Sequence, residues 1–386
     1  MTDEHYVEMA DVWSRMGLSL AADSLCLNWM DMPHINWDKP WWNKEANANG
    51  LINGKMFNIT GEMAVTAMQY TWALAFNMDL IKDYGYSSDE LYQTVLDGEW
   101  TLDKLIEVGS SIYRDTNGNG LEDSGDIFGF ASYTNIGAVT PGVYGNRSMP
   151  WVHAIGENFY TINEDKTSFE ITLGTEKVYS ALEKLVNFHY NVEGTIAYNE
   201  QEDDAVALND FCDGNVAIYP TTFQSCFTSF ANLGFNYGML PYPKYDTAQE
   251  KYYTVPFESY SIYQIPCTLP EEDFEFVGVI MEAMNAESWK TVSPTFYDEA
   301  MKGRYSVDQT TADILDLIME SRIFDWGYQV AIFAPGYAKT PFVFACQIMD
   351  NNIDLASTLA ANWDASQEAL DLCISFYEDD YVNPAG

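Results

Sequence analysis

The chain has 386 residues, enough to bury a large core and more than most single domains use, so two lobes are expected. Its 58 acidic against 18 basic residues give a net charge of −40, which repels nucleic acid and anionic membranes and counts against both as partners. With 47% hydrophobic residues the chain is not disordered.

The opening MTDEHYVEMADVWSRM is acidic and lacks a basic n-region and an apolar h-region, so it does not read as a signal peptide. Residues 8–27 read as a helix, and NWMDMPHINWDKPWWNKEAN follows as an extended aromatic segment broken by Pro33 and Pro40. Asn53-Gly54-Lys55 turns into MFNIT, a predicted strand. EMAVTAMQYTWALAFNMDLIKDYG carries apolar residues first in strand spacing, then in helical spacing, and stops at Gly85. Ser87 and Glu90 form a capping box for a short helix. Thr101 caps another, whose stripe is Leu102, Leu105, Ile106, Gly109, Ile112 and Tyr113.

Thr175 opens a helix with Val178, Tyr179, Leu182, Leu185, Val186 and His189 on its inner face. His189 there reads as an edge-of-core residue rather than a ligand. AVALNDFCDGNVAIYPTT reads as helix, a stop at Gly214, and the buried strand Val216–Tyr219. FNYGMLPYPKYD and YYTVPFESYSIYQIP read as strands, and residues 271–286, 287–303, 308–321 and 350–380 as mainly helical. Strands and helices interleave throughout, which predicts an α/β architecture.

Between the Thr101 helix and the strand IFGFASY lies a loop rich in oxygen donors. Asp115, Asn117, Asn119, Asp123 and Asp126 stand at positions 1, 3, 5, 9 and 12 of a calcium loop, with Gly120 at the sharp turn and the Leu121 carbonyl at position 7. This makes the loop a candidate structural Ca2+ site. The competing reading is an Asx-rich turn, because Asp126 is shorter than the usual glutamate and a strand, not a second helix, follows.

Six scattered cysteines form no CxxC pair and read as buried free thiols, and four histidines show no metal-ligand spacing. There is no GxSxG elbow, no P-loop and no GxGxxG after a strand. The 26 Tyr, 21 Phe and 11 Trp are mostly core, yet an excess of Tyr and Trp fits a protein that stacks rings on sugars.

Several segments in order, DMPHINWDKPWWN, GEWTLDKLIEVGSSIYRDTNGNGLEDSGDIFGF, FCDGNVAIYPTT, YGMLPYPKYD and ESWKTVSPTFYDEAMKGRYSVDQTTADILDLI, resemble the solute-binding proteins of ABC importers. The resemblance is to the carbohydrate-binding family that includes maltose-binding protein. It implies a two-lobed, type II periplasmic-binding-protein-like α/β fold closing on a sugar. Crossings between the lobes are expected near Met68–Trp72, Glu258–Ser261 and Arg322–Trp326.

Residues 1–68 with 260–320 are expected to form the N-terminal-type lobe, and 69–259 with 321–386 the C-terminal-type lobe. Members carry a further stretch of chain ahead of the point matched by Met1, including a lipoprotein signal, so the first lobe is expected to be incomplete. The resemblance places ligand-contacting residues at Thr222 and Phe223 on a strand end, and at Trp326 and Tyr328 in the second lobe. Tyr70 and Trp72 lie on the expected joint. Trp41 and Trp42 read either as a stacking platform or as an anchor to the core. The implied protein is a non-enzymatic monomer that binds a mono- or oligosaccharide, needs no cofactor, and meets ABC permease subunits outside the cell or in the periplasm. The rival readings are a glycoside-processing enzyme and a surface glycan-binding protein without a transporter.

Overall fold

The computed structural model describes residues 7–134, 148–199, 205–303, 309–325 and 340–378. The strands are β1 (Ala10–Trp13), β2 (Cys26–Leu27), β3 (Trp72–Asn77), β4 (Tyr113–Arg114), β5 (Ile127–Thr134), β6 (Tyr160–Ile162), β7 (Phe169–Ile171), β8 (Thr195–Asn199), β9 (Val216–Thr222), β10 (Tyr237–Leu240) and β11 (Ser261–Pro266). The helices are α1 (Gly17–Ala22), α2 (Lys44–Asn49), α3 (Thr66–Gln69), α4 (Met78–Asp83), α5 (Ser88–Leu96), α6 (Leu102–Ser110), α7 (Pro150–Ala154), α8 (Glu176–Tyr190), α9 (Val206–Cys212), α10 (Gln224–Phe227), α11 (Phe274–Glu287), α12 (Gln309–Glu320), α13 (Thr340–Met349) and α14 (Leu355–Ser375). Wider π-helical turns extend α11 over Ser288–Val292 and recur at Thr295–Lys302.

Two sheets organise these elements. The larger runs β10-β3-β9-β5-β4, with β8 also on β5. β5 pairs in parallel with β8 and β9, while β3 pairs antiparallel with β9 and β10. Every residue of β3 and β5 is buried, which is why these strands read as continuous apolar runs rather than alternating ones. The smaller sheet is β1-β11-β2, antiparallel throughout. Its core of Trp29, Trp42, Ile59, Tyr263 and Ile265 receives Val277 and Met281 from α11.

Three chain segments join the lobes side by side. Trp72 N–H donates to the Val255 carbonyl at 3.2 Å, and Phe257 N–H to Tyr70 at 2.8 Å. Thr254 N–H donates to Ser321 at 3.0 Å and Ile323 N–H returns to Thr254 at 2.8 Å. The Thr254 hydroxyl closes the group on the Trp72 carbonyl at 2.7 Å. Among the described residues the three segments expected to cross are therefore bonded to one another, the second through residues 254–257 rather than 258–261. The architecture is the type II, two-lobed α/β fold.

Local signals held where local chemistry decides. Ser87 and Glu90 form the capping box, and Thr101 and Thr175 each accept the N–H three residues on. Several expectations fail. Residues 8–27 do not form one helix: Ala10–Trp13 pair with β11, whose backbone outcompetes a short local helix, and only Gly17–Ala22 wind into one. At Gly17 an added Cβ would lie 2.5 Å from the tip of Ile262 and 2.8 Å from the Asn58 amide, so a larger residue there would have to displace both side chains. MFNIT is buried but makes a single bridge, Ile59 with Tyr263, instead of a strand. The expected boundary at residue 320 leaves α12 with the first lobe, but its contacts are with α5 and β10 of the larger one. His189 is more deeply placed than expected, 3% exposed and set edge-on to Phe130, Trp151 and Phe188.

Candidate functional site

A cavity of about 370 Å³ lies between the lobes. The smaller lobe supplies Glu45 and Asn49 from α2, a helix started by the Asn43 side chain, which accepts from Ala46 N–H at 2.9 Å. The larger lobe supplies His153 from α7, the Gly156–Asn158 turn and the edge of β6. The third crossing, through Ile323, Phe324 and Asp325, passes along the wall. Asn49 donates to the Phe324 carbonyl at 2.9 Å, tying α2 to that crossing.

Acceptors dominate the lining. His153 Nε2 lies 2.8 Å from Asp325 Oδ2, and a carboxylate can only accept, so Nε2 carries the proton in the neutral ring. His153 is fully buried, and Nδ1, left as an acceptor, has no partner among the described residues. Burial raises the Glu45 carboxyl above its ordinary value, against the pull of the Phe324 N–H; the charge of Asp325 raises it further and Arg322 lowers it. Glu157 meets Lys177 at 3.4 Å. Such a wall suits a ligand rich in hydroxyl or amine donors. At the rim, Lys166 from the β6–β7 turn donates to the Ala48 carbonyl at the end of α2.

The aromatic residues singled out from sequence fall elsewhere. Trp42 is buried, donates Nε1–H to Glu282 at 2.9 Å and packs on Trp37, while Trp41 packs on Trp289. Both anchor the extended segment to α11 and its continuation. Tyr70 and Trp72 pack edge-on against Phe257, and Thr222 faces Trp72 across the strand pair. Phe223 is fully buried, its N–H donated to Thr71. Tyr70, Trp72, Thr222 and Phe223 thus gather at the joint, and none of the six lines the cavity. Trp326 and Tyr328 lie outside the described residues; Asp325, next to Trp326, does line it. Sequence reading missed Glu45, Asn49, His153 and Glu157. The one available signal was a histidine inside the apolar run PWVHAIG.

In the oxygen-rich loop, Asp115 accepts from Gly118 and Gly120 N–H at 2.6 and 2.9 Å. Asn117 and Asn119 both turn their amide ends to the Asp123 carboxylate, at 3.1 and 2.8 Å. Asp126 is buried; the Thr116 N–H it accepts holds its carboxyl below the ordinary value, against the effect of burial. The Leu121 N–H is bonded to Asn119 Oδ1. Among the described residues, no group of three His, Cys, Asp or Glu side chains is gathered closely enough to hold a metal. All six cysteines are free thiols.

No family model and no curated protein matches the chain. Solved structures do. UgpB from Mycobacterium tuberculosis, in complex with glycerophosphocholine, superposes with a TM-score of 0.59 at 14% identity, over 95% of this chain and 85% of that one. The chain has the fold of the solute-binding proteins. The maltose/maltodextrin-binding domain MalE from Bdellovibrio bacteriovorus, bound to maltotriose, gives 0.54 at 14% identity over 95% and 84%. An ABC transporter solute-binding protein from Thermotoga lettingae, bound with α-D-tagatose, gives 0.53 at 15% identity over 96% and 84%.

Proposed function

We propose that this protein is the carbohydrate-binding component of an ABC importer, closing its two lobes on the sugar and passing it to permease subunits. One observation carries the reading: an acceptor-lined cavity is walled by both lobes, beside three crossing segments that can act as a hinge. Sugar hydroxyls donate to such walls, and closure removes the bound ring from water. The fold relatives that hold maltotriose and tagatose support the same ligand class. Such a role places the protein outside the cytoplasmic membrane, as a lipid-anchored or periplasmic monomer. Among the described residues no helix is long and apolar enough to cross a membrane.

A panel of sugars screened by thermal shift, followed by calorimetry, tests this. The expected result is a raised melting temperature with one sugar class, recovered unchanged after incubation. Hydrolysis of a glycoside would replace the reading with an enzymatic one, and a silent panel would remove it. Permease genes beside this one distinguish an importer component from a free-standing glycan binder.

A structural Ca2+ in the 115–126 loop belongs to the same proposal. Binding an ion there would require the side-chain oxygens of Asn117 and Asn119 to leave the Asn119 and Leu121 N–H groups from which they accept and turn towards the Asp123 carboxylate. Calcium is then expected to raise the melting temperature, and an unchanged one counts the loop as a plain turn.

A further inference from the structure

Three carboxylates face the cavity between the lobes, Glu45, Glu157 and Asp325, and among the described residues no lysine or arginine side chain lines it. We propose that the bound sugar carries an ammonium group, held between Glu45 and Asp325, so that the ligand is an amino sugar rather than a neutral one. The proposal rests on the carbohydrate reading and narrows it.

Charge is the first argument. The cations around the cavity are turned to other partners. Lys177 meets Glu157 at 3.4 Å, and Lys166 at the rim donates to the Ala48 carbonyl. Arg322 donates through Nε to Met319 at 3.0 Å and through Nη1 to Ala67 at 3.3 Å, both backbone carbonyls. Burial raises the Glu45 carboxyl, the Phe324 N–H lowers it, Asp325 raises it and Arg322 lowers it; the balance is upward. His153 does not complete the compensation. Its Nε2–H donates to Asp325, while Nδ1 is buried without a partner, so a second ring proton would have no acceptor among the described residues. Glu45 and Asp325 therefore share a partly buried space with less positive than negative charge, which a cationic group relieves.

Hydrogen bonding is the second. One Glu45 oxygen accepts from the Phe324 N–H at 3.4 Å, and the other has no partner among the described residues. Asn49 turns its amide nitrogen to the Phe324 carbonyl at 2.9 Å, which leaves its side-chain oxygen as an acceptor in the wall. The Gly156 and Glu157 N–H groups are bonded within their own turn, to His153 and Val152 at 2.8 and 3.1 Å. A sugar hydroxyl offers one donor and accepts in return, whereas an ammonium offers three donors and accepts nothing. Its bonds to carboxylates are also roughly twice as strong as neutral ones.

The test is calorimetric titration at about pH 6, where a sugar amine carries its proton. D-glucosamine, D-galactosamine and D-mannosamine are each compared with the parent hexose and the N-acetyl derivative, and chitosan oligomers with chitin and cello-oligosaccharides of equal length. In the pair that binds, the free amine is expected to lower Kd at least about tenfold against both neutral partners. Glu45→Gln and Asp325→Asn should each reduce that ratio to within about twofold, in variants shown by melting curves to be folded. A neutral sugar bound as tightly as its amine overturns the proposal and leaves the carbohydrate reading standing. A preference that survives both substitutions overturns the placement between Glu45 and Asp325. Silence of the whole panel, amines included, overturns the carbohydrate reading and the amino sugar with it.

Discussion

In the larger lobe, β3 and β5 are buried along their whole length, with α4 packed on β3 and α6, α9 and α13 on β5. The smaller lobe hides far less. Trp13, Met16 and Met30, with Phe276, Val279, Ile280, Met284, Trp289 and Val292, are between 39% and 58% exposed. Most of these sit on α11 and its π-helical extension. The inner face of α11, through Val277 and Met281, fills the small core, yet its outer face is equally apolar. A helix apolar all round normally lies enclosed by protein. The two lobes therefore differ in kind: one is built on a buried sheet, and the other carries exposed apolar surface along α11.

Four measurements test this difference between the lobes. The largest effect is expected at Gly129 in β5, where an added Cβ would lie 1.9 Å from the Gly109 carbonyl oxygen. Gly129→Ala should cost more than about 4 kcal/mol or yield no folded protein by chemical denaturation. A mild loss would mean that the large sheet is less rigid than its burial indicates.

Next comes acid sensitivity of the same lobe. Burial pushes the His189 imidazole down to about 4 from an ordinary 6.5, against the pull of the Leu185 carbonyl. The unfolded chain therefore binds a proton that the folded one refuses. The neutral ring's stability contribution is full above pH 6.5 and is lost as pH falls towards 4. The difference amounts to roughly 3 kcal/mol. Melting curves of His189→Gln should lack this component; an unaltered acid transition would assign it to other groups.

If Trp326, next in the chain to the cavity-lining Asp325, stacks on the sugar as proposed, Trp326→Ala is expected to weaken sugar binding by ~1–3 kcal/mol through lost stacking area. Unchanged affinity in a folded variant removes Trp326 from the site. The smallest effect is expected on the outer face of α11. Phe276→Lys and Met284→Lys should change stability by less than about 0.5 kcal/mol while lowering the binding of an apolar fluorescent dye. A large destabilisation would show that this face is covered in the native protein.

The sequence showed most where neighbours in the chain decide the outcome. The Ser87, Thr101 and Thr175 caps, the stripe of α6 and the left-handed stop at Gly214 could all be read from a few residues. Ala10–Trp13 could not, because its strand exists only against β11. The cavity was illegible for the same reason. Glu45, His153 and Asp325 are ordinary residues in their own segments, and only the crossings bring them to one place. Trp41 and Trp42 left two readings open, because a tryptophan pair has the same composition whether it faces a sugar or, as here, anchors a segment on Glu282 and Trp289.

The register of the small sheet also sets an order of events during synthesis. Ala10 pairs with Gln264 and Cys26 with Pro266, so neither outer strand has a partner until the chain has grown past residue 266. All strands of the large sheet are complete by Leu240. A nascent chain can therefore pair the strands of its large sheet while β1 and β2 still wait, but the core of that lobe is filled only when α12, α13 and α14 have been made.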